Sequence, residues 1–514
     1  MAPISTAPNK QSGSTPSSDK RRIALRAVER TMTLSDGVGF TIAHIMMIKG
    51  AAAELLQHLP MALVKTFNKH PKMRGKLVND TFAAVDIHPA IDLEQLGQEK
   101  LLHITPMNTA IFNDDRAWQA FVQEQTHITF DRVEQFPFML HVWFDVDTMH
   151  KARLMLFSDH YLSDGCSGNT VLNDILTFVS EISEEGDSSN QQEEMPLQPG
   201  LYDITLDSHS MLSPLLRFVI KFGMRSLLRR TRSFSPLITP RSGQEDMRLP
   251  NPPDNEATLL FARGSKENLD KLLSRCREEG TTFFGALTAA ILVSYIYHTD
   301  AFDDEAFKLY VLMNFNMRER VAKPISSETI GCYATATLMP ALHEKGVHVP
   351  TQGFWDLARC AKQQTIDMIG NFPVVSMPMI VLDQHYNRES DPSLPQEFPV
   401  KFSSIADVNV SSVGRYPYST AFDTREGPLE VESLFYVCRA PFMASSCQFY
   451  VTSLQDVGYA FSHHYELDVG RNIFDIAVMV MENSWQIGGN HVVGDVIEKL
   501  VTKGCGDPKA AAEA

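Results

Sequence analysis

The sequence has 514 residues, 44% hydrophobic and 21% charged, enough to bury a large core and, by length, to form two or more domains. Its 46 Lys and Arg against 62 Asp and Glu give a formal net charge of −16, which opposes the basic footprint that a phosphate backbone requires, so no nucleic-acid partner is expected. The seven cysteines (Cys166, Cys276, Cys332, Cys360, Cys438, Cys447, Cys505) are odd in number and never spaced Cys-x-x-Cys, which points to a reducing compartment without structural zinc.

Residues 1–20 are polar, rich in Ser and Pro, and hold no apolar h-region, and no later stretch reaches the apolar length of a membrane span. The expectation is a cytoplasmic protein with a disordered tail over 1–20. From Ile23 the pattern turns largely helical: Leu55, Leu56, Leu59, Ala62, Leu63 and Phe67 recur at helical spacing and stop before His70-Pro71. Phe138 to Asp145 and Ala152 to Phe157, separated by the polar stretch Val146 to Lys151, predict a strand pair whose second member runs into His160. Ser167 to Ile182 is helical again, with Val171, Leu172, Ile175, Leu176 and Val179 on one side, so His160 stands where a strand hands over to a helix.

Residues 183–210 are acidic and Gln/Ser-rich and 233–256 are Pro/Ser-rich, which together predict a long exposed crossover between two halves. Helices are then predicted at Glu267 to Glu279, at Thr282 to Tyr297 with a one-sided apolar stripe, and at Trp355 to Ile369. Strands are predicted at Leu309 to Asn314, Asp407 to Val413, Leu434 to Val437, Gln448 to Ser453 and Tyr459 to His463. The fold class is α/β in two comparable halves, with divisions at 21–185, 186–256 (crossover), 257–503 and a tail over 504–514.

The run Asp159-His160-Tyr-Leu-Ser-Asp164-Gly165 carries the chemistry. General-base work needs a neutral imidazole with one nitrogen aimed at the acceptor, while a buried Asp nearby locks the loop by pairing with an Arg. Gly165 lets the backbone turn tightly and leaves room for substrate. Spacing alone is weak, since His-x-x-x-Asp arises by chance; the strand-to-helix setting strengthens it.

This run resembles the HHxxxDG motif of the chloramphenicol-acetyltransferase-like superfamily, which includes condensation domains, wax ester synthases and alcohol acetyltransferases. Lys69-His70-Pro71-Lys72-Met73-Arg74 resembles the family's early His-Pro-x-Leu-Arg segment, and Thr281 to Leu287 the start of its central helix. Met313-Asn-Phe-Asn-Met-Arg318 resembles the strand that supplies the arginine partner of the motif aspartate, and Ile330-Gly331-Cys332-Tyr333 the turn after it. Val410-Ser411-Ser412-Val413-Gly414-Arg415 resembles the Ser-Asn-x-Gly segment near the acyl-transfer site.

The resemblance implies two similarly folded halves with an active-site channel between them and His160 as general base. Asp164, Gly165 and Arg318 would support the site, and Ser411, Ser412 and Gly414 would lie near the transferred acyl group. It further implies that acyl-CoA serves as co-substrate without a bound cofactor or metal, that a small-molecule alcohol accepts the acyl group, and that a monomer suffices. A donor carried on phosphopantetheine, or a silent member that only binds an acyl ligand, stays open. The pattern departs at Asp159, where the family has a histidine and where a carboxylate is expected to raise the pKa of His160, and at Ser412, where it has Asn. No Asp-Phe-Gly-Trp-Gly segment occurs, which sets the chain apart from the plant-type branch.

His463-His464-Tyr-Glu-Leu-Asp468 is a rival run, but Val469 follows where glycine would stand, and a pseudo-repeat or ordinary histidines is the plainer reading. Cys166 tempts a nucleophile reading; with no base to activate it other than His160, it reads as a packing residue. Between Leu215 and Arg232, Arg217, Lys221, Arg225 and Arg229 recur every fourth residue among apolar neighbours. That pattern suits a peripheral membrane or lipid-droplet contact, and equally a crossover helix packed on the body, which Gly223 favours by weakening an extended helix. No dinucleotide fingerprint, P-loop or Gly-x-Ser-x-Gly elbow occurs.

Overall fold

Two mixed six-stranded sheets organise the chain. The computed structural model describes residues 21–33, 40–78, 84–185, 193–206, 234–241, 246–248, 257–321, 323–339, 345–371, 399–401, 405–439 and 445–502, with residues 342, 379–380 and 383. The basic run from Leu215 to Arg232 and the tails at 1–20 and 504–514 lie outside the described residues.

The first sheet runs Ala421–Phe422, Leu429–Cys438, Thr41–Gly50, Lys151–Asp159, Phe138–Asp145, Leu102–Met107. The second runs Ala334–Leu338, Val311–Asn316, Val408–Arg415, Cys447–Ser453, Val457–His463, Thr258–Arg263. Each contains an antiparallel hairpin whose second strand leads straight into a long helix. In the first sheet it is Phe138–Asp145 with Lys151–Asp159, then the helix Gly165–Glu185; in the second, Cys447–Ser453 with Val457–His463, then Leu467–Asn483.

Thr41–Gly50 corrects the largely helical reading of the N-terminal region, as does the strand Arg21–Ala24. Ile42, Ala43, Ile45, Met46 and Ile48 are all buried because both faces of the strand are covered. Met46 and Ile48 pack with the helices Ala52–Lys69 and Gly165–Glu185, and Ala43 and Ile45 join the aromatic cluster between the two sheets. A strand buried on both sides has no alternation to read, and periodicity cannot tell it from a buried helix.

Leu429–Cys438 belongs to the first sheet although it comes late in the sequence, pairing antiparallel with Thr41–Gly50 from Leu429 opposite Gly50 to Cys438 opposite Ile42. The chain therefore crosses back between sheets after Arg415 and returns at Cys447. Phe283–His298, capped by the Thr282 hydroxyl accepting the Gly285 N–H, is buried from Gly285 to Ile296 without interruption, so its apolar face is not one-sided. A helix apolar all round is a core helix. The predicted exposed crossover is also corrected in part: Glu194 pairs with the buried Arg74, and Leu201–Leu206 is a short helix with Leu201, Tyr202, Thr205 and Leu206 buried. Its acidic composition misled because one of its carboxylates neutralises an interior arginine.

Candidate active site at the strand-to-helix junction

Lys151–Asp159 delivers His160 to the point where Gly165–Glu185 begins. Nδ1 of His160 lies 2.9 Å from the Ser163 carbonyl oxygen. A carbonyl only accepts, so Nδ1 carries the hydrogen and Nε2 keeps its lone pair. Nε2 makes no hydrogen bond among the described residues, and the ring is partly exposed. Phe40 stands edge-on with ring centres 6.5 Å apart, and Cys332 Sγ is 3.7 Å from Nδ1. Burial, aided by Glu29 and Asp164, pushes the Cys332 thiol far above its usual range, making it a neutral wall.

Asp164 caps the same helix. Its carboxylate accepts from the Ser167 amide and hydroxyl (2.8 Å each), from the Tyr333 amide (3.0 Å) and from two Arg318 guanidinium nitrogens (2.8 and 3.0 Å). Burial pushes the carboxyl up, but Arg318 and the Ser167 donors outweigh it and hold it below the usual range. Arg318, buried just past the strand Val311–Asn316, also donates to the Thr329 carbonyl and to the Asn316 side-chain oxygen and so has no hydrogen to spare for substrate. The pair ties the first sheet's helix to the second sheet's strand. Every acceptor position on Asp164 is occupied by these donors, so the carboxylate fixes the loop and leaves the imidazole alone.

Gly165 is required by packing. A Cβ there would lie 2.5 Å from Val413 and 3.1 Å from the Tyr436 ring. Val413 belongs to Val408–Arg415, whose register shifts between Ser412 and Gly414, with Gly414 at φ +75°. The Ser411 carbonyl accepts the Tyr436 hydroxyl at 2.6 Å. The structure thus brings His160, Asp164, Gly165 and Arg318 into one cluster and sets the Ser411–Gly414 stretch against Gly165. Asp159 is buried and bound by Arg132 at 2.6 Å.

Sequence reasoning missed His44, whose Nε2 donates to the Gly165 carbonyl at 2.9 Å and whose ring fills the space left by Gly168. Burial lowers its pKa to about 4, so it stays neutral. Lys72 and Tyr333 were placed by resemblance without a role, yet they bond to each other at 2.7 Å behind the motif. Ser167 was legible, since a hydroxyl three residues into a helix suits an aspartate cap. Cys166 has its thiol pushed up to about 11 by burial and Asp164, and its sulfur accepts from Asn316, in keeping with a packing role.

Among the described residues the rival run shows no buried ion pair like that of Asp164 and Arg318. His463 is sealed in the core with neither ring nitrogen hydrogen-bonded among the described residues, and burial lowers its pKa to about 4. Asp468 is exposed and makes no ion pair among the described residues.

Solved structures of the same fold share little sequence with this chain. TRI3 trichothecene 15-O-acetyltransferase from Fusarium sporotrichioides matches with a TM-score of 0.68 at 14% identity, over 90% of this chain and 94% of its own. The first condensation domain of the calcium-dependent antibiotic synthetase, in complex with a substrate analogue, matches at 0.63 and 12%, over 92% and 98%. The condensation domain of the monacolin K polyketide synthase MokA matches at 0.56 and 13%, over 92% and 99%. No protein-family model matches the sequence, and no curated protein does. The chain has the chloramphenicol-acetyltransferase-like fold that condensation domains and acetyltransferases share. Among the described residues, no single helix is long and apolar enough to cross a membrane.

Proposed function

We propose that the protein is an acyltransferase that moves an acyl group from acyl-CoA to the hydroxyl of a small-molecule alcohol, with His160 as general base. What carries the reading is the fixed tautomer: Nδ1–H is committed to the Ser163 carbonyl, and Nε2 has no hydrogen-bond partner among the described residues. Nε2 takes the proton as the acceptor oxygen attacks the thioester carbonyl; the C–S bond then breaks and the proton passes to the departing thiolate. Asp164 and Arg318 hold the loop, and the Ser411–Gly414 strand flanks the acyl group. The reaction needs no cofactor beyond the CoA ester, and a channel between the halves would admit donor and acceptor from opposite faces.

The test is CoA-thiol release from a panel of acyl-CoAs with pooled alcohols. His160→Ala is expected to lose on the order of 10²- to 10⁴-fold in rate, while His464→Ala keeps its rate within about twofold. Loss in the second variant alone would move the centre to the rival run. The likeness to condensation domains favours one other donor, an acyl group on a phosphopantetheine carrier. That donor takes over if the wild type is silent with every CoA ester but active with an acylated carrier.

A further inference from the structure

Behind the motif lies a buried charged cluster that the proposed reaction does not use. Glu29 and Lys72 are 1% and 2% exposed. Among the described residues the Lys72 ammonium finds neutral acceptors alone: the Tyr333 hydroxyl at 2.7 Å, the Pro199 carbonyl at 3.4 Å, and the Tyr333 ring face, whose centre is 4.5 Å away. Tyr333 in turn donates its hydroxyl to Pro199 at 2.9 Å. A buried ammonium with neutral contacts alone is unfavourable, so a nearby anion is called for. Glu29 stands beside the same stretch: a Cβ on Gly200, next to Pro199, would lie 2.3 Å from its Oε2, which has no hydrogen-bond partner among the described residues, and the Lys72 charge pulls on its carboxyl.

Tyr333 links the cluster to the site at a second point. Its backbone amide donates to Asp164, and its neighbour Cys332 abuts His160. Gly331, at φ +151°, leaves room for the Lys72 amine, which would lie 3.0 Å from a Cβ there. The turn that presents the Asp164 and His160 contacts is therefore pinned from behind by Lys72.

We propose that Glu29 and Lys72 are positioning residues for the His160 site, with the ionised Glu29 keeping Lys72 on Tyr333 and thereby holding the Gly331–Tyr333 turn in register. The proposal rests on the general-base reading of His160. Groups facing Glu29 come from each neighbouring element: Lys72 from the turn Pro71–Arg74, Asp203 from the helix Leu201–Leu206, and Tyr333 and Cys332 from the turn itself. Burial pushes the Glu29 carboxyl up to about 7, against the pull of Lys72. The acid therefore gains its proton as pH falls through neutrality, and Lys72 loses its counter-charge there.

The experiment is the pH profile of kcat and KM for the full-length wild type, Glu29→Gln, Lys72→Met, Lys72→Arg, Tyr333→Phe and His160→Ala. Lys72→Met should lower kcat about 10- to 100-fold with KM little changed, as expected of small misplacements, and Lys72→Arg should recover part of the loss. The wild type should show an extra step on the acid side of neutrality that Glu29→Gln lacks. Tyr333→Phe keeps the ring and removes only the hydroxyl, so it carries the test should Lys72→Met fail to fold. An inactive His160→Ala beside Glu29→Gln and Tyr333→Phe that both trace the wild-type curve overturns the positioning role alone. Full turnover by His160→Ala sinks the general-base reading and this proposal together.

Discussion

Both sheets build the same device, a hairpin whose second strand ends in a His-containing run followed by a long helix, yet among the described residues only the first is locked by a buried ion pair from the other sheet. At each place a helical glycine makes room for a buried imidazole: a Cβ on Gly168 would lie 2.1 Å from His44, and one on Gly470 would lie 2.1 Å from His463. In the first half that ring donates to the Gly165 carbonyl, and the next layer supplies Arg318 to Asp164. In the second half the ring stacks among Phe461 and Tyr465, Asp468 faces solvent, and Glu466 makes no side-chain cap. What separates the two is a second element that fixes the loop, and on the proposed reading that is what leaves one nitrogen of His160 open to an acceptor.

The sharpest way to break this comparison is charge deletion at the two aspartates. Arg318→Met leaves Asp164 buried and uncompensated and should destabilise the protein by about 3–5 kcal/mol in urea unfolding. Asp468→Asn should stay within about 0.5 kcal/mol. Equal effects would mean that the two runs are built alike after all.

Acid unfolding measured together with turnover separates the two rings next. With a folded-state pKa near 4 against an ordinary 6.5, His463 binds fewer protons folded than unfolded between those values. Its contribution is present above pH 6.5 and lost as pH falls toward 4, up to about 3 kcal/mol. His463→Phe should flatten the acid side of the stability curve and leave turnover intact. His44→Phe should flatten it similarly but lower turnover, because the Gly165 carbonyl loses its donor.

The smallest contrast lies in the glycines. Gly168→Ala and Gly470→Ala should each destabilise by about 1–3 kcal/mol through overpacking. Only the first should also reduce kcat, and Tm and turnover measured on the same samples would check both.

The strand-to-helix setting of His160 was legible because the polar stretch Val146 to Lys151 separates two short apolar runs, and Ser167 to Ile182 carries a helical spacing of apolar residues. Arg318 could be assigned to Asp164 only through resemblance, since nothing local in Asn316-Met317-Arg318 announces a partner so distant in sequence. The central strand Thr41–Gly50, and with it His44, was invisible because burial on both faces erases alternation. Lys72 and Tyr333 escaped a role for another reason. Their meaning lies in a stretch around Pro199 whose acidic, Pro-containing composition reads as exposed linker.

The crossing strand has a consequence for how this protein is made. During synthesis Thr41–Gly50 emerges long before its partner Leu429–Cys438. Until then one long edge of the first sheet is open and apolar, a template for pairing with another nascent chain. Pairings this distant in sequence also slow folding. Slow maturation, chaperone dependence and aggregation on overexpression are therefore expected of the chain, and slowing translation or lowering the growth temperature should raise the soluble yield.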